Sequence, residues 1–362
     1  MPESSIVVRP EPHGSVFHTP SLRLQAAGLR PAIELFERAA DEVPLPKPPQ
    51  PVVIADYGAS NGHNSLLPIG AAIARLRARI PPEQSILVAH TDIAENDFTA
   101  LFHTLAEDPD SYLAKDPKVF SSAVGRSFYQ QILPSDSVQL GWSSWAIQWL
   151  SRIPGPVEDH VHASMSTDED LRAAYSRQAA EDWHEFIAFR GRELSPHGKL
   201  VVLTLGADES GGYGLIPLLD GLRAALDELV TEKVLTTEEL RAMSIPTVGR
   251  SEKDFVAPFA PKGRFENLSV EHLEVFDAGD RFWTQYRADG DAKAFGERWA
   301  GFARAAVFPA LTAALDDGPD EGRPVRFAEQ LQQRLAARLA AAPEEMQIPM
   351  AKVVLAKGGH SP

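Results

Sequence analysis

The segment "PVVIADYGASNGHNSL" (51–66) constrains the fold most. Val52 to Ala55 are all apolar, so a strand there has no wet face and must be covered on both sides. Gly58 and Gly62 then interrupt the run with residues that tolerate positive φ. "SLLPIGAAIARLRARI" (65–80) follows with apolar residues at helical spacing, and "SILVAHTD" (85–92) is a second apolar run. Strand, turn, helix, strand is a right-handed parallel unit, and parallel strands covered on both faces belong to an open α/β sheet.

Later segments extend the pattern. "SDSVQLGWSS" (135–144) reads as a strand, with "AIQWLSRI" a short turn or helix behind it. "STDEDLRAAYSRQAAEDWHEFIAFRGREL" reads as a long helix opened by a capping box of Ser166 and Glu169, and "SPHGKLVVLTLG" as a turn into another buried strand. Upstream, the helix-patterned "LRPAIELFERAADE" is stopped by "PLPKPPQP", in which proline cannot continue a helix. We therefore expect an N-terminal arm and helix over 1–50 and an α/β core over 51–205. A mainly helical cap over 206–345 includes "VEHLEVFDA" as a returning core strand, and 346–362 holds a last strand, "AKVVLAKG", and a tail. The cap is expected to return the chain to the sheet edge.

A formal charge of −15 argues against nucleic acid, whose affinity rests on phosphate neutralisation by lysine and arginine. With no cysteine there is no disulfide, thiolate metal site or thiol nucleophile. No apolar run has the length of a signal peptide or bilayer span, so a cytoplasmic protein without a membrane partner is expected.

Ligands of an open parallel sheet bind beyond the carboxyl ends of its strands, where "DYGASNGHN" falls. The spacing is not G-x-G-x-x-G, and Asp56 would repel a pyrophosphate. A cationic, phosphate-free cofactor such as S-adenosylmethionine suits it better, with Asp92 at the end of the second strand placed to grip the two ribose hydroxyls. On these residues alone a purely structural turn and a nucleotide cofactor remain open.

Four blocks in order, "IADYGASNGHNSL", "HTDIAENDFTALF", "VGRSFYQQILPSDSVQLGWSSWAIQWLSRIP" and "DWHEFIAFRGRELSPHGKLVVLTLG", resemble the SABATH carboxyl methyltransferases over residues 15–205, with a looser likeness beyond. The resemblance implies a Rossmann-like class I methyltransferase sheet, S-adenosylmethionine as cofactor with S-adenosylhomocysteine as product, a homodimer, and a bacterial member of the family. It implies cofactor contacts at Ser21, Asp56, Gly58, Ser60, Asn64, Asp92, Ile93, Ser127, Phe128 and Ser143. Gln25 and Trp149 correspond to the pair that holds the substrate carboxylate, although "SLRLQ" has one residue more between serine and glutamine than the family pattern. Trp145, Gln148, Leu218 and Leu219 are the implied substrate contacts. Family members that bind magnesium use D-x-F-N, where this chain has "RAMSIP", so no metal is expected. His160, His162, His184 and Glu185 lack the H-E-x-x-H spacing. The implied reaction is methyl ester formation on a small aromatic acid; N-methylation of a heterocycle and a nicotinamide oxidoreductase are the alternatives.

Overall fold

A computed structural model describes residues 18–208, 211–316, 320 and 322–359, with the backbone alone described for 18–28. Helix α1 (His18–Glu42) leads into β1 (Val52–Tyr57), α2 (His63–Arg77) and β2 (Ile86–Asp92). Helices α3 (Phe98–Glu107) and α4 (Tyr112–Lys115) precede β3 (Val119–Gly125) and β4 (Val138–Ser144). Helix α5 (Glu169–Glu193) runs directly into β5 (Leu194–Leu205). After α6 (Ile216–Thr231), α7 (Thr237–Ala242) and α8 (Glu252–Val256) comes β6 (Leu268–Asp277). Helices α9 (Arg281–Asp289), α10 (Ala292–Ala306), α11 (Phe308–Thr312) and α12 (Arg323–Ala341) precede β7 (Pro349–Lys357).

The seven strands form one sheet in the order β3-β2-β1-β4-β5-β7-β6. The first five are parallel, and β7 is antiparallel to both neighbours. The cap therefore does not simply return to an edge: β6 takes the edge and β7 inserts between β6 and β5. An antiparallel strand needs no crossover on the far face, so the chain enters straight from α12.

Strand periodicity divides the core between the faces. Val52, Ile54, Val201 and Leu203 join one buried cluster with α1, α2, α6, α10 and α12. Ala55, Tyr57, Leu200 and Val202 join the other, with Trp183, Phe186 and Ile187 of α5. Lys199 pins α1 to the sheet through ion pairs with Glu42 and Glu271. The start of α5 corrects the sequence expectation. Its cap is Asp168, whose carboxylate accepts from Leu171 N, while Ser166 Oγ accepts from Asp168 N one turn earlier. An ionised acceptor beside the helix N-terminus is the better cap.

Candidate active site

Strand order reverses between β1 and β4, and a cavity of about 790 Å³ opens there at the carboxyl ends of the strands. Its near wall is the turn after β1. Gly58 N and Ala59 N both donate to Thr91 O, at 2.9 and 3.0 Å, folding the turn over β2. Gly58 has φ +83°, and a Cβ on it would stand 2.3 Å from that of Ala146. Glycine is thus required twice, by the backbone and by the close approach of the turn after β4.

Asp92 organises the next stretch of wall. Its Oδ2 accepts from Ser60 N at 2.7 Å and its Oδ1 from Ile93 N at 2.8 Å. Ser60 itself sits at φ +49°, and Asn96 Nδ2 donates to its carbonyl at 2.9 Å. Burial pushes the Asp92 carboxyl up to about 6 against those two backbone bonds. Each oxygen keeps a further lone pair on the cavity side. Asn64, Ile93, Ser127 and Phe128 complete this end, and among the described residues its wall from Gly58 to Gln130 carries no lysine or arginine.

Two expected contacts are absent from this wall. Asp56 is fully buried, its Oδ2 2.7 Å from His90 Nδ1, and His90 Nε2 is 2.6 Å from Tyr112 OH. The strand register explains this, since Asp56 and His90 are direct partners across β1 and β2. Ser143 is likewise buried and donates to Tyr57 O at 2.9 Å, tying β4 to β1. The side chains of Ser21 and Gln25 lie outside the described residues.

A further part of the lining is built on the turn after β4. Trp142 is core, packed 4.9 Å from Phe36, with Nε1 donating to Ser144 Oγ. Trp145, at φ +57°, Gln148 and Trp149 line the cavity. The buried Trp145 Nε1–H has no hydrogen-bond partner among the described residues. Gln148 is braced at both ends, donating to Trp145 O at 2.7 Å and accepting from Thr204 Oγ1 at 3.0 Å. Val248 N donates to Gln148 O, Leu150 N to Pro246 O, and Arg250 Nη1 to Ile147 O at 2.6 Å, so the segment after α7 straps this turn in place. Leu218 and Leu219 of α6 face it across the cavity with Leu205, Ile245, Trp299 and Phe302.

Sequence reasoning missed His162, Thr247, Trp299 and Arg281 as lining residues. Only "DHVHA" gave a signal, read there as a weak metal pattern. His160 faces Asp220 at 3.9 Å and His184 packs on Phe265. Among the described residues no three histidines, cysteines or acids gather as for a metal ion.

A doubly wound sheet with a cavity at its switch point, a glycine turn and a ribose-type acid is a cofactor-binding arrangement without provision for phosphate. A family model described as SAM dependent carboxyl methyltransferase matches residues 18–355. The chain belongs to that family, which corrects the nicotinamide alternative and makes S-adenosylmethionine the cofactor to be held. Methyltransferase FUS9 of Gibberella moniliformis is 30% identical over 64% of this chain and 62% of its own length. Salicylate carboxymethyltransferase of Clarkia breweri is 27% identical over 66% of this chain and 67% of its own. Gibberellic acid methyltransferase 1 of Arabidopsis thaliana is 27% identical over 80% and 79%. The match to the fungal enzyme thus spans less than two thirds of that relative. A solved loganic acid methyltransferase with SAH superposes with a TM-score of 0.76 at 19% identity, over 97% of this chain and 99% of the other, and shares the fold.

Proposed function

We propose that this protein esterifies a small aromatic acid, transferring a methyl group from S-adenosylmethionine to its carboxylate. The observation that supports the reading is one cavity lined both by Gly58, Asp92 and Phe128 and by Trp145, Gln148 and Trp149, two groups of different chemistry. The first group fits the cofactor. Asp92 accepts from the ribose hydroxyls, Ile93 and Phe128 flank the adenine, and the absence of lysine or arginine suits a cationic group. Ser21, Ser60, Asn64 and Ser127 are the further cofactor contacts in this reading. Names of relatives, salicylate carboxymethyltransferase and indole-3-acetate O-methyltransferase among them, support an aromatic acid.

When bound, the cofactor would supply an electrophilic methyl group on a sulfonium, with the neutral thioether as the leaving group. The protein's part is orientation. A carboxylate is already ionised at neutral pH, so no general base is needed. Trp149, with Gln25 of the arm, holds the carboxylate, and neutral N–H donors leave it more nucleophilic than an arginine clamp would. Trp145 and the leucines of α6 exclude water and fix the ring.

The test is mass spectrometry of purified protein with methyl-labelled S-adenosylmethionine and a pool of aromatic and aliphatic acids. Labelled esters that hydrolyse in alkali support the reading. A labelled product stable to alkali points to nitrogen, and no product despite calorimetric cofactor binding refutes it for those acids. The same reading makes the protein a cytoplasmic homodimer, which light scattering tests for its mass; among the described residues no helix is long and apolar enough to cross a membrane.

A further inference from the structure

In the substrate half of the cavity three residues from separate segments meet: His162 between β4 and α5, Tyr213 between β5 and α6, and Thr247 after α7. Tyr213 OH is 2.8 Å from Thr247 Oγ1, which is 3.1 Å from His162 Nε2. The His162 and Tyr213 rings lie 4.2 Å apart. The wall around them is apolar, formed by Leu205, Leu218 and Ile245 among others.

Counting protons leaves one over. His162 Nδ1 accepts from Ser164 N at 3.3 Å and lies 2.7 Å from the Ser164 hydroxyl. The ring proton is therefore on Nε2, where it donates to Thr247. Burial, reinforced by His160, holds the ring pKa down to about 3, so His162 stays neutral. Thr247 and Tyr213 have two O–H groups and one contact between them, and apart from the His162 N–H on Thr247 neither oxygen shows a further hydrogen bond among the described residues. Only one proton can cross that contact. Either oxygen can donate across it, so the pair keeps one O–H over; with Thr247 accepting from His162 and donating onward, as cooperative polarisation favours, the free proton is the phenol's. Thr247 also pairs with Trp149 in an isolated antiparallel bridge, which places opposite Cβ atoms about 5 Å apart. The spare proton thus lies beside the turn that receives the carboxylate.

We propose that Tyr213 determines substrate specificity: ordered by Thr247 and His162, it donates its spare O–H to an oxygen substituent near the reacting carboxylate, selecting oxygenated acids over their hydrocarbon analogues. This rests on the carboxyl methyltransferase reading. An analogue without the oxygen leaves the phenol proton unsatisfied, which corresponds to a preference on the order of 10- to 100-fold.

The experiment is calorimetric titration of the full chain, saturated with S-adenosylhomocysteine, with matched acids: benzoate against its 2-, 3- and 4-hydroxy forms, and a straight-chain acid against its 2-hydroxy and 2-keto forms. The wild type is expected to bind the oxygenated member of at least one pair 10- to 100-fold more tightly. Tyr213→Phe should bring that pair within about threefold by weakening the oxygenated member alone, and Thr247→Val, which unties the phenol, should shrink the preference. Thr247→Ser, which keeps the hydroxyl, should retain it. No preference in any wild-type pair, an unchanged preference in Tyr213→Phe or Thr247→Val, or equal weakening of both members overturns the proposal. The readout contains no methyl donor, so acids that bind with the expected preference yet are never methylated count against the proposed reaction alone. Failure of every acid to bind removes the acid-substrate reading and this inference with it.

Discussion

The most informative substitution is Asp92→Asn. In the wild type each carboxylate oxygen accepts one backbone N–H, from Ser60 and from Ile93, and has a lone pair left for a ribose hydroxyl. The amide has a single oxygen, so either rotamer turns an NH2 towards one of those N–H groups and loses one charged acceptor towards the ribose. A hydrogen bond to a charged group contributes about 1.5–3 kcal/mol, and the mispaired donor adds a fraction of that, for a total of about 2–4 kcal/mol. Cofactor affinity should then fall roughly 30- to 1000-fold, as read by calorimetry with S-adenosylhomocysteine at pH 7.5. The pH profile is a second reading of the same contact. Ribose hydroxyls need the ionised carboxylate, and the Asp92 carboxyl titrates at about 6, so wild-type affinity should weaken below pH 6, approaching tenfold per unit. Asp92→Asn should flatten that profile. Unfolding through this group does not mimic the effect: a carboxyl whose folded pKa is raised binds its proton more readily when folded, so its titration between about 6 and 4 stabilises the fold. An affinity within threefold of wild type at pH 7.5, with the acid limb intact, would refute the assignment of Asp92 to the ribose.

Trp149→Ala should lower kcat/KM about 100-fold while cofactor affinity stays within threefold, since it removes positioning at the acceptor end only; steady-state kinetics beside calorimetry show whether the two separate. Arg190→Met leaves Glu193 buried without its cation and should lose about 3–5 kcal/mol in urea titrations. Cofactor binding should weaken in the folded fraction as well, because Arg190 also holds Phe128 O and Gln130 O, at 2.7 and 2.8 Å. Tyr129→Phe deletes the 2.6 Å bond to Trp149 O, which should reduce kcat several-fold with a stability change of only about 1 kcal/mol in thermal melts; unchanged kcat would show that this bond positions nothing.

β1, β2 and the second half of β5 were legible because they carry apolar runs bounded by glycine turns or polar residues, as buried parallel strands do; β3, "VFSSAVG", has two serines and no such run and was not read from the sequence. That Gly58 and Asp92 would line the cavity was legible for a related reason: they stand at the ends of β1 and β2, and local sequence places a strand end at the mouth of an open sheet, whereas Trp149 came from the family resemblance alone. The burial of Asp56 and Ser143 was not legible. Their side chains point according to pairing with His90 and against the backbone of Tyr57, and pairing register is a non-local property. The same limit hid Thr247, whose place at the cavity wall is set by a bridge to Trp149 some hundred residues away in the chain. Gln148 was expected as a substrate contact; its amide is bonded to Thr204 and the Trp145 carbonyl, so it holds the turn in shape as it lines the cavity.

Four of the buried charged residues, Asp182, Arg190, Glu193 and Arg250, brace the loops after β3 and β4. Arg190 and Glu193 hold the backbone at Phe128, Gln130, Ile132 and Leu133, while Tyr57 OH donates to Glu193 at 2.8 Å. Arg250 holds Ile147 O and Ala179 O, and Asp182 accepts from both the backbone N and the hydroxyl of Ser151. Tyr129 then joins the loops through Trp149 O. Burying ions is unfavourable unless each is fully hydrogen-bonded, and here the partners are mostly loop backbone groups that no regular ladder satisfies. These bonds tie the loop that carries Phe128 to the turn that carries Trp149, both of which line the cavity. A reaction without proton transfer depends on the distance and angle between two bound molecules, and an error near 1 Å can reduce it about 100-fold. In the proposed reaction these four buried charges therefore act as braces of the loops rather than as proton-transfer groups.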